Sequence, residues 1–249
     1  MINFIANPRV MPNTWFHFKQ FTIQQQHAAM KVGTDGVLLG AWTSVPGPGS
    51  RILDVGTGTG LIALMIAQRT KNVAVDALEI DPSSARQATE NFQNSPWKER
   101  IHCIQSSFQE YSSRCKSRYD LIICNPPFFS GSAKTPSIER NLARHDDSLS
   151  LEDILRGSVI LMKKTTNISL ILPVEKEART LDLITEYKLY CNRLTRVIPA
   201  PGKSAKRVLM EFSYMPGKSL EDDLTIETGI RYMYSDQFND LVDEFYLGQ

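Results

Sequence analysis

The sequence predicts an α/β fold: a doubly wound, mostly parallel seven-stranded sheet that ends in an antiparallel hairpin. Three observations carry this. Short apolar runs alternate with amphipathic stretches in βαβα order between residues 51 and 188. The runs are apolar throughout rather than alternating, as in strands covered on both faces. After residue 188 two strand-like runs surround a Pro/Gly turn.

The elements follow in order. RILDV (51–55) precedes the helix LIALMIAQRT (61–70). VAVDALEI (73–80) precedes PSSARQATENF (82–92), where Asp81 reads as the N-cap and Pro82 as the first helical residue. IHCIQSS (101–107) and YDLIICN (119–125) are further strands. LEDILRGSVILMKK (151–164) has helical spacing, ISLILP (168–173) is a buried strand, and VEKEARTLDLITEYK (174–188) is again a helix. LYCNRLTRVIPA (189–200) and KRVLMEFSYM (206–215) flank the turn PGKSAKR and predict the hairpin. DQFNDLVDEFYL (236–247) closes as a helix with Phe238, Leu241, Val242 and Phe245 on one face. No repeat or linker interrupts this pattern. Residues 16–249 read as one domain and residues 1–15 as an N-terminal tail.

Composition narrows the function. Apolar residues make up 42%, ample for a core, yet no run approaches the ~18 residues of a membrane span. MINFIANPRVMPN lacks the basic and apolar segments of a secretory signal. Cys103, Cys115, Cys124 and Cys191 form no CxxC pair and read as reduced, core-type thiols, which points to the cytoplasm. His102 and Cys103 are adjacent rather than metal-spaced, so no metal site is expected. A net charge of +1 argues against a whole-surface nucleic-acid clamp and leaves room for a local basic patch.

The chemistry concentrates in two places. DVGTGTG (54–60) turns from a strand into a helix. Gly56, Gly58 and Gly60 permit a tight turn and close approach of a ligand, or simply close strand–helix packing. The spacing is GxGxG, preceded by Asp54, rather than the dinucleotide GxGxxG. Glu79 follows Gly60 by nineteen residues, at the end of the next strand, where an acid can accept both hydroxyls of an adenosine ribose. The second place is NPPF (125–128), which ends the fourth strand. In a doubly wound sheet the first and fourth strands neighbour each other at the switch point, so Asn125 stands beside whatever the glycine loop holds. Pro126 and Pro127 have no N–H. The Asn125 side-chain oxygen and the Pro126 carbonyl are two acceptors suited to an NH₂ on a planar ring. Phe128 offers a face on which a base stacks. No Ser/His/Asp trio suggests hydrolysis.

These residues resemble the class I S-adenosylmethionine-dependent methyltransferases. The resemblance implies that Asp54, Gly56, Gly58 and Gly60 form the methionine-binding loop and that Glu79 binds the ribose. It implies that NPPF positions an exocyclic amine, with Asn125, Pro126 and Phe128 as the catalytic group. The tetrad alone leaves adenine N6, guanine N2 of rRNA and a protein glutamine open. A non-catalytic RNA-binding protein on the same fold is the alternative of another class, and the intact loop, Glu79 and Asn125 argue against it. A narrower resemblance covers most of the chain. FHFKQFTIQQQHAAMKVGTDGVLLGAW (16–42), NLARHDDSLSLEDIL (141–155), KRVLMEF (206–212) and FYL (245–247) are similar to the bacterial tRNA(Val) adenine-N6-methyltransferases. That family implies S-adenosylmethionine as cofactor, tRNA as partner and N6-methyladenosine 3′ of the anticodon as product.

One departure stands out. Many amino methyltransferases carry an Asp near the end of the third strand, whereas this chain reads IHCIQSSFQEY (101–111). Ser106 or Ser107 can accept the adenine hydrogen bond there, and Phe108 can pack on that ring. Lys31, Thr34 and Asp35 precede an apolar helix; the resemblance folds this block over the cofactor, with Thr34 or Asp35 at the methionine end or capping the helix. Basic side chains cluster in three loops as candidate phosphate contacts: Lys134, Arg140 and Arg144; Lys203, Lys206 and Arg207; and Lys19. His145 reads as a substrate or structural contact.

Overall fold

Two apolar layers enclose one sheet, and the alternation of side chains along each strand divides them. The computed structural model describes residues 13–28, 30–127 and 149–247. In chain order these form β1 (Trp15–His17), β2 (Thr22–Gln24), α1 (Thr34–Trp42), β3 (Arg51–Val55), α2 (Leu61–Arg69), β4 (Ala74–Glu79), α3 (Pro82–Gln93), β5 (Ile101–Gln105), α4 (Phe108–Arg114) and β6 (Tyr119–Cys124). After the segment that is not described come α5 (Leu151–Leu161), β7 (Met162–Pro173), α6 (Glu177–Glu186), β8 (Tyr190–Ile198), β9 (Arg207–Ser213), β10 (Leu220–Thr225) and α7 (Asp236–Val242).

The main sheet runs β10-β8-β9-β7-β6-β3-β4-β5. Every neighbouring pair is parallel except those made by β9, which is antiparallel to β7 and β8. The expected parallel sheet with its terminal antiparallel pair is therefore present, and β9 wedges between β7 and β8. Ile52, Val75, Ala77, Leu121 and Ile123 face one layer with α1, α2 and α3. Leu53, Val55, Leu78, Ile122 and Cys124 face the other, with α4, α5 and α6. Neighbours in sequence thus enter different cores, which is why the strands read as unbroken apolar runs.

Three differences from the expected elements have physical reasons. The sheet has eight strands rather than seven: β10, LEDDLT, is acidic and four of its six residues are exposed, so no apolar run marks it. Charges on an edge strand oppose further strand pairing. The helix expected to reach residue 164 ends at Leu161, and β7 starts at once. Thr166 holds that irregular start, accepting from the Lys163 N–H and donating to the Tyr119 carbonyl. Residues 13–15, expected in the tail, are tied to the domain: Gln25 N–H donates to the Thr14 carbonyl and Trp15 opens β1.

A polar cluster pins the far end of the sheet. Asp76, 3% exposed, accepts from Arg51 Nε at 2.8 Å, Arg51 Nη2 at 2.7 Å and Tyr119 Oη at 2.6 Å. Asp76 lies on β4, Arg51 on β3 and Tyr119 on β6, so one carboxylate links the three central strands. The register then leads their opposite ends to one level: Val55 pairs with Cys124 on one side and with Leu78 on the other.

Candidate active site

The site is built at the carboxyl ends of β3, β4, β5 and β6. Since Val55 pairs with Cys124, Gly56 and Asn125 leave the sheet side by side. Asn125 is half-buried, Pro126 buried and Pro127 exposed. The Asn125 side-chain amide makes no hydrogen bond to another described residue. Phe128, Lys134, Arg140, Arg144 and His145 lie outside the described residues.

The three loop glycines divide into two kinds. All have left-handed backbones, with φ of 72° at Gly56, 57° at Gly58 and 86° at Gly60. A side chain at Gly60 would meet the Phe92 ring at 2.4 Å, so Gly60 serves close packing of the loop on α3. Added side chains at Gly56 and Gly58 would meet none of the described residues within 4 Å. Those two keep a face of the loop open.

Two carboxylates hold the loop from behind. Glu79 Oε2 accepts from the Gly58 N–H at 2.8 Å and Oε1 from the Asp81 N–H at 2.9 Å. Burial raises its pKa, against the lowering by those N–H groups. Asp54 is 1% exposed; its Oδ2 accepts from Thr57 Oγ1 at 2.6 Å, and among the described residues no full hydrogen bond reaches its Oδ1, although the Ala63 N–H lies toward the carboxylate. Burial pushes the Asp54 carboxyl up to about 7, opposed by the Thr57 hydroxyl and the Ala63 N–H and reinforced by the Glu79 charge. An unpaired buried carboxylate oxygen is costly unless a donor reaches it.

The third-strand corner differs in part from expectation. Ser107 caps α4, accepting from the Glu110 N–H at 3.1 Å, and Ser106 Oγ donates to the Ser107 carbonyl at 3.1 Å. Phe108, 4% exposed, places its ring edge where a side chain at Gly157 would lie, 2.5 Å away. Its ring is thus committed to the seam between α4 and α5, a use that the run SSFQEY does not reveal.

The N-terminal block reaches the loop through residues that sequence reasoning missed. Asn91, buried on α3, donates to the carbonyls of Thr59 (2.8 Å) and Gln24 (2.9 Å) and accepts from the Gln24 N–H (2.9 Å). It ties the glycine loop to β2. Its one signal is an amide on the apolar face of α3, beside Ala88 and Phe92. Helix α1 starts with Gly33 as N-cap and no side-chain cap, so neither Thr34 nor Asp35 caps it. Asp35 instead accepts from Arg207 Nε at 2.8 Å. These two were expected to face cofactor and RNA separately. Lys19 is likewise paired, to Asp243 Oδ1 at 3.1 Å. Lys203 and Lys206 are exposed on the turn before β9.

Residues 31–153 match the family described as Methyltransferase small domain. The chain is 47% identical, over 95% of its length and 99% of the relative's, to a tRNA1(Val) (adenine(37)-N6)-methyltransferase of Parabacteroides distasonis. It is 45% identical, over 93% of its length and 99% of the relative's, to the protein of that name in Flavobacterium psychrophilum. Among solved structures it resembles a predicted O-methyltransferase of Agrobacterium tumefaciens, with TM-score 0.66, 19% identity, and coverage of 85% of this chain and 96% of that one. A ribosomal protein L11 methylase of Lactobacillus delbrueckii has TM-score 0.55 and 14% identity, covering 80% of this chain and 98% of that one. These two share the fold.

Two tests follow from the loop. Gly60→Ala should lose about 3 kcal/mol or more of stability, from left-handed strain plus overpacking on Phe92. Gly58→Ala should lose only the strain, about 1–2 kcal/mol. Equal losses in urea denaturation would remove the distinction between packing and open glycines. The Asp54 carboxyl titrates near 7 when folded and near 3.8 unfolded. Between these values the folded state holds the extra proton, so stability falls as pH rises. The unfolding free energy of wild type, less that of Asp54→Asn, should decline by a few kcal/mol from pH 4 to pH 7. A difference flat across that range would show Asp54 to be ionised throughout.

Proposed function

The chain belongs to the family of tRNA1(Val) (adenine(37)-N6)-methyltransferases, and from that premise we propose that it methylates the exocyclic N6 of an adenine in tRNA, the adenine 3′ of the anticodon of tRNA1(Val), in the cytoplasm. The methyl donor in this reading is S-adenosylmethionine, and the single domain of residues 16–249 carries the reaction. The observation that carries it is the shared level of Gly56 and Asn125, set by the pairing of Val55 with Cys124.

The residues fit such a donor. Asp54 Oδ1 is buried with no hydrogen-bond partner among the described residues and suits a cationic amine. Gly56 and Gly58 leave open space in front of the loop. The Gly58, Asp81 and Ile80 N–H groups face the Glu79 carboxylate, whose two oxygens together offer about four acceptor sites, so room remains to accept a ribose hydroxyl. Ser107, Thr34 and Asp35 remain the proposed contacts at the adenine and methionine ends. When bound, S-adenosylmethionine supplies a methyl carbon on a sulfonium, open to displacement by an amine.

The protein's part is orientation. Asn125 Oδ1 and the Pro126 carbonyl accept the two hydrogens of N6 and hold the nitrogen toward the glycine loop. The amine becomes acidic as it gains carbon, and its surplus proton leaves along the same contacts, so no strong base is needed beforehand. Phe128 is the proposed stacking partner of the base. The base must leave its stack at a cost of a few kcal/mol, less in a loop than in a duplex. Lys203 and Lys206 lie free to meet phosphates, with Arg144 proposed beside them. Arg207 and Lys19 enter this reading through their ion pairs, which brace the surfaces that RNA approaches.

Asn125→Ala should lower methyl transfer by at least ~10²-fold, the scale for losing one oriented polar contact in a reacting site, with cofactor affinity unchanged by calorimetry. Retained turnover would remove Asn125 from the chemistry. Glu79→Ala should weaken cofactor binding instead. Nucleoside mass spectrometry of tRNA1(Val) from cells lacking the protein should show loss of N6-methyladenosine; an unchanged level refutes the assignment.

A further inference from the structure

Beyond the end of β10 the chain forms a short projecting tip, residues 228–233, every one exposed. Its base is anchored. Ser235 N–H donates to the Ile226 carbonyl at 2.8 Å, Glu227 N–H to the Pro199 carbonyl at 2.9 Å, and the Tyr234 ring stacks on Phe238 at 4.9 Å. The tip itself is apolar and basic: Ile230, Tyr232 and Met233 are 62%, 66% and 53% exposed. Arg231 lies over the Tyr232 ring at 4.8 Å. Tyr232 has a left-handed backbone, φ 67°, in which its N–H donates to Glu227 Oε1 at 3.2 Å and Thr228 N–H closes the turn on the Met233 carbonyl at 2.8 Å. A tyrosine held in that conformation is costly for an element with no use.

The place of the tip gives it one. β10 is parallel to β8, so the tip leaves the same carboxyl edge of the sheet as Asn125. Gly229 lies beside Pro201, so the tip adjoins the turn that carries Lys203 and Lys206. Among the described residues, none of Lys203, Lys206 and Arg231 forms an ion pair, whereas Arg207 and Lys19 do. Four strand spacings separate β6 from β10, about 19 Å.

We propose that the 228–233 tip and the adjoining 200–206 turn form the docking platform for the RNA substrate, with Tyr232 and Arg231 stacking on an unpaired base or backbone turn and Lys203 and Lys206 meeting phosphates. This rests on the tRNA reading above. An exposed aromatic with unpaired cations is the combination that binds single-stranded nucleic acid, and RNA loops present unstacked bases. The span along the rim lets one folded RNA loop touch the platform while its target base reaches Asn125.

The test uses the full chain and a tRNA1(Val) transcript, with binding read by fluorescence anisotropy and turnover by methyl transfer. Tyr232→Ala should weaken binding and raise KM for tRNA by at least ~fivefold, the low end for one lost base stack, with kcat and S-adenosylmethionine affinity unchanged. Tyr232→Phe, which keeps the ring, should behave as wild type. Lys203→Ala with Lys206→Ala should reduce the slope of log affinity against log salt by about 1 to 2. Wild-type affinity in Tyr232→Ala, or an unchanged salt slope in the double variant, overturns the platform and leaves the tip to a protein partner. If the wild type methylates no tRNA while binding still depends on Tyr232, the catalytic reading fails and the platform stands. If transfer proceeds with KM indifferent to the tip, the reverse holds.

Discussion

The parallel pairing of β3 with β6 is the constraint on which the rest depends. It places the chain's first and fourth parallel strands side by side at the point where strand order reverses, and the register Val55–Cys124 ends them at one level. A glycine loop and an asparagine far apart in sequence thereby share one rim. Slippage by one residue would turn Asp54 and the flanking apolar residues to the wrong layer, so the two cores enforce the register. Asp76 clamps the same strands at their other ends through Arg51 and Tyr119. Rigidity below thus underwrites geometry above.

Within that frame the glycine loop is held by acids rather than by packing alone. Glu79 takes the Gly58 and Asp81 N–H groups, and Asp54 takes the Thr57 hydroxyl. Burial raises both pKa values. The loop is thus shaped in advance by buried carboxylates whose charged form burial disfavours. Gly60 sets how closely the loop rests on α3, while Gly56 and Gly58 leave the space in front of it.

The basic residues of this nearly neutral chain are not equivalent. Tertiary contacts sort them. Arg207 is spent on Asp35, which fastens the start of α1 to the sheet edge, and Lys19 is spent on Asp243. Lys203, Lys206 and Arg231 are left facing solvent on one rim. A few unpaired cations beside an exposed tyrosine concentrate the field that a net charge of +1 disperses over the surface.

The sequence by itself determined the fold class, the order of the central strands' partners in outline, and the place of the glycine loop and the NPP turn at two strand ends. Unbroken apolar runs are a direct consequence of burial on both faces, and DVGTGTG and NPP have few uses other than a backbone that must bend or stop. The positions of Gly56, Gly58 and Asn125 at two adjacent strand ends were legible for that reason. Adenine rather than guanine came from resemblance across the flanking blocks, since the tetrad serves either amine. Tertiary structure alone decided the rest. It turned Phe108 into the α4–α5 seam, paired Asp35 with Arg207, made Gly60 a packing residue, bridged loop and N-terminal block through Asn91, and added the acidic β10 with the tip beyond it. Each of these depends on which distant side chain fills a neighbouring space, and local pattern carries no record of that.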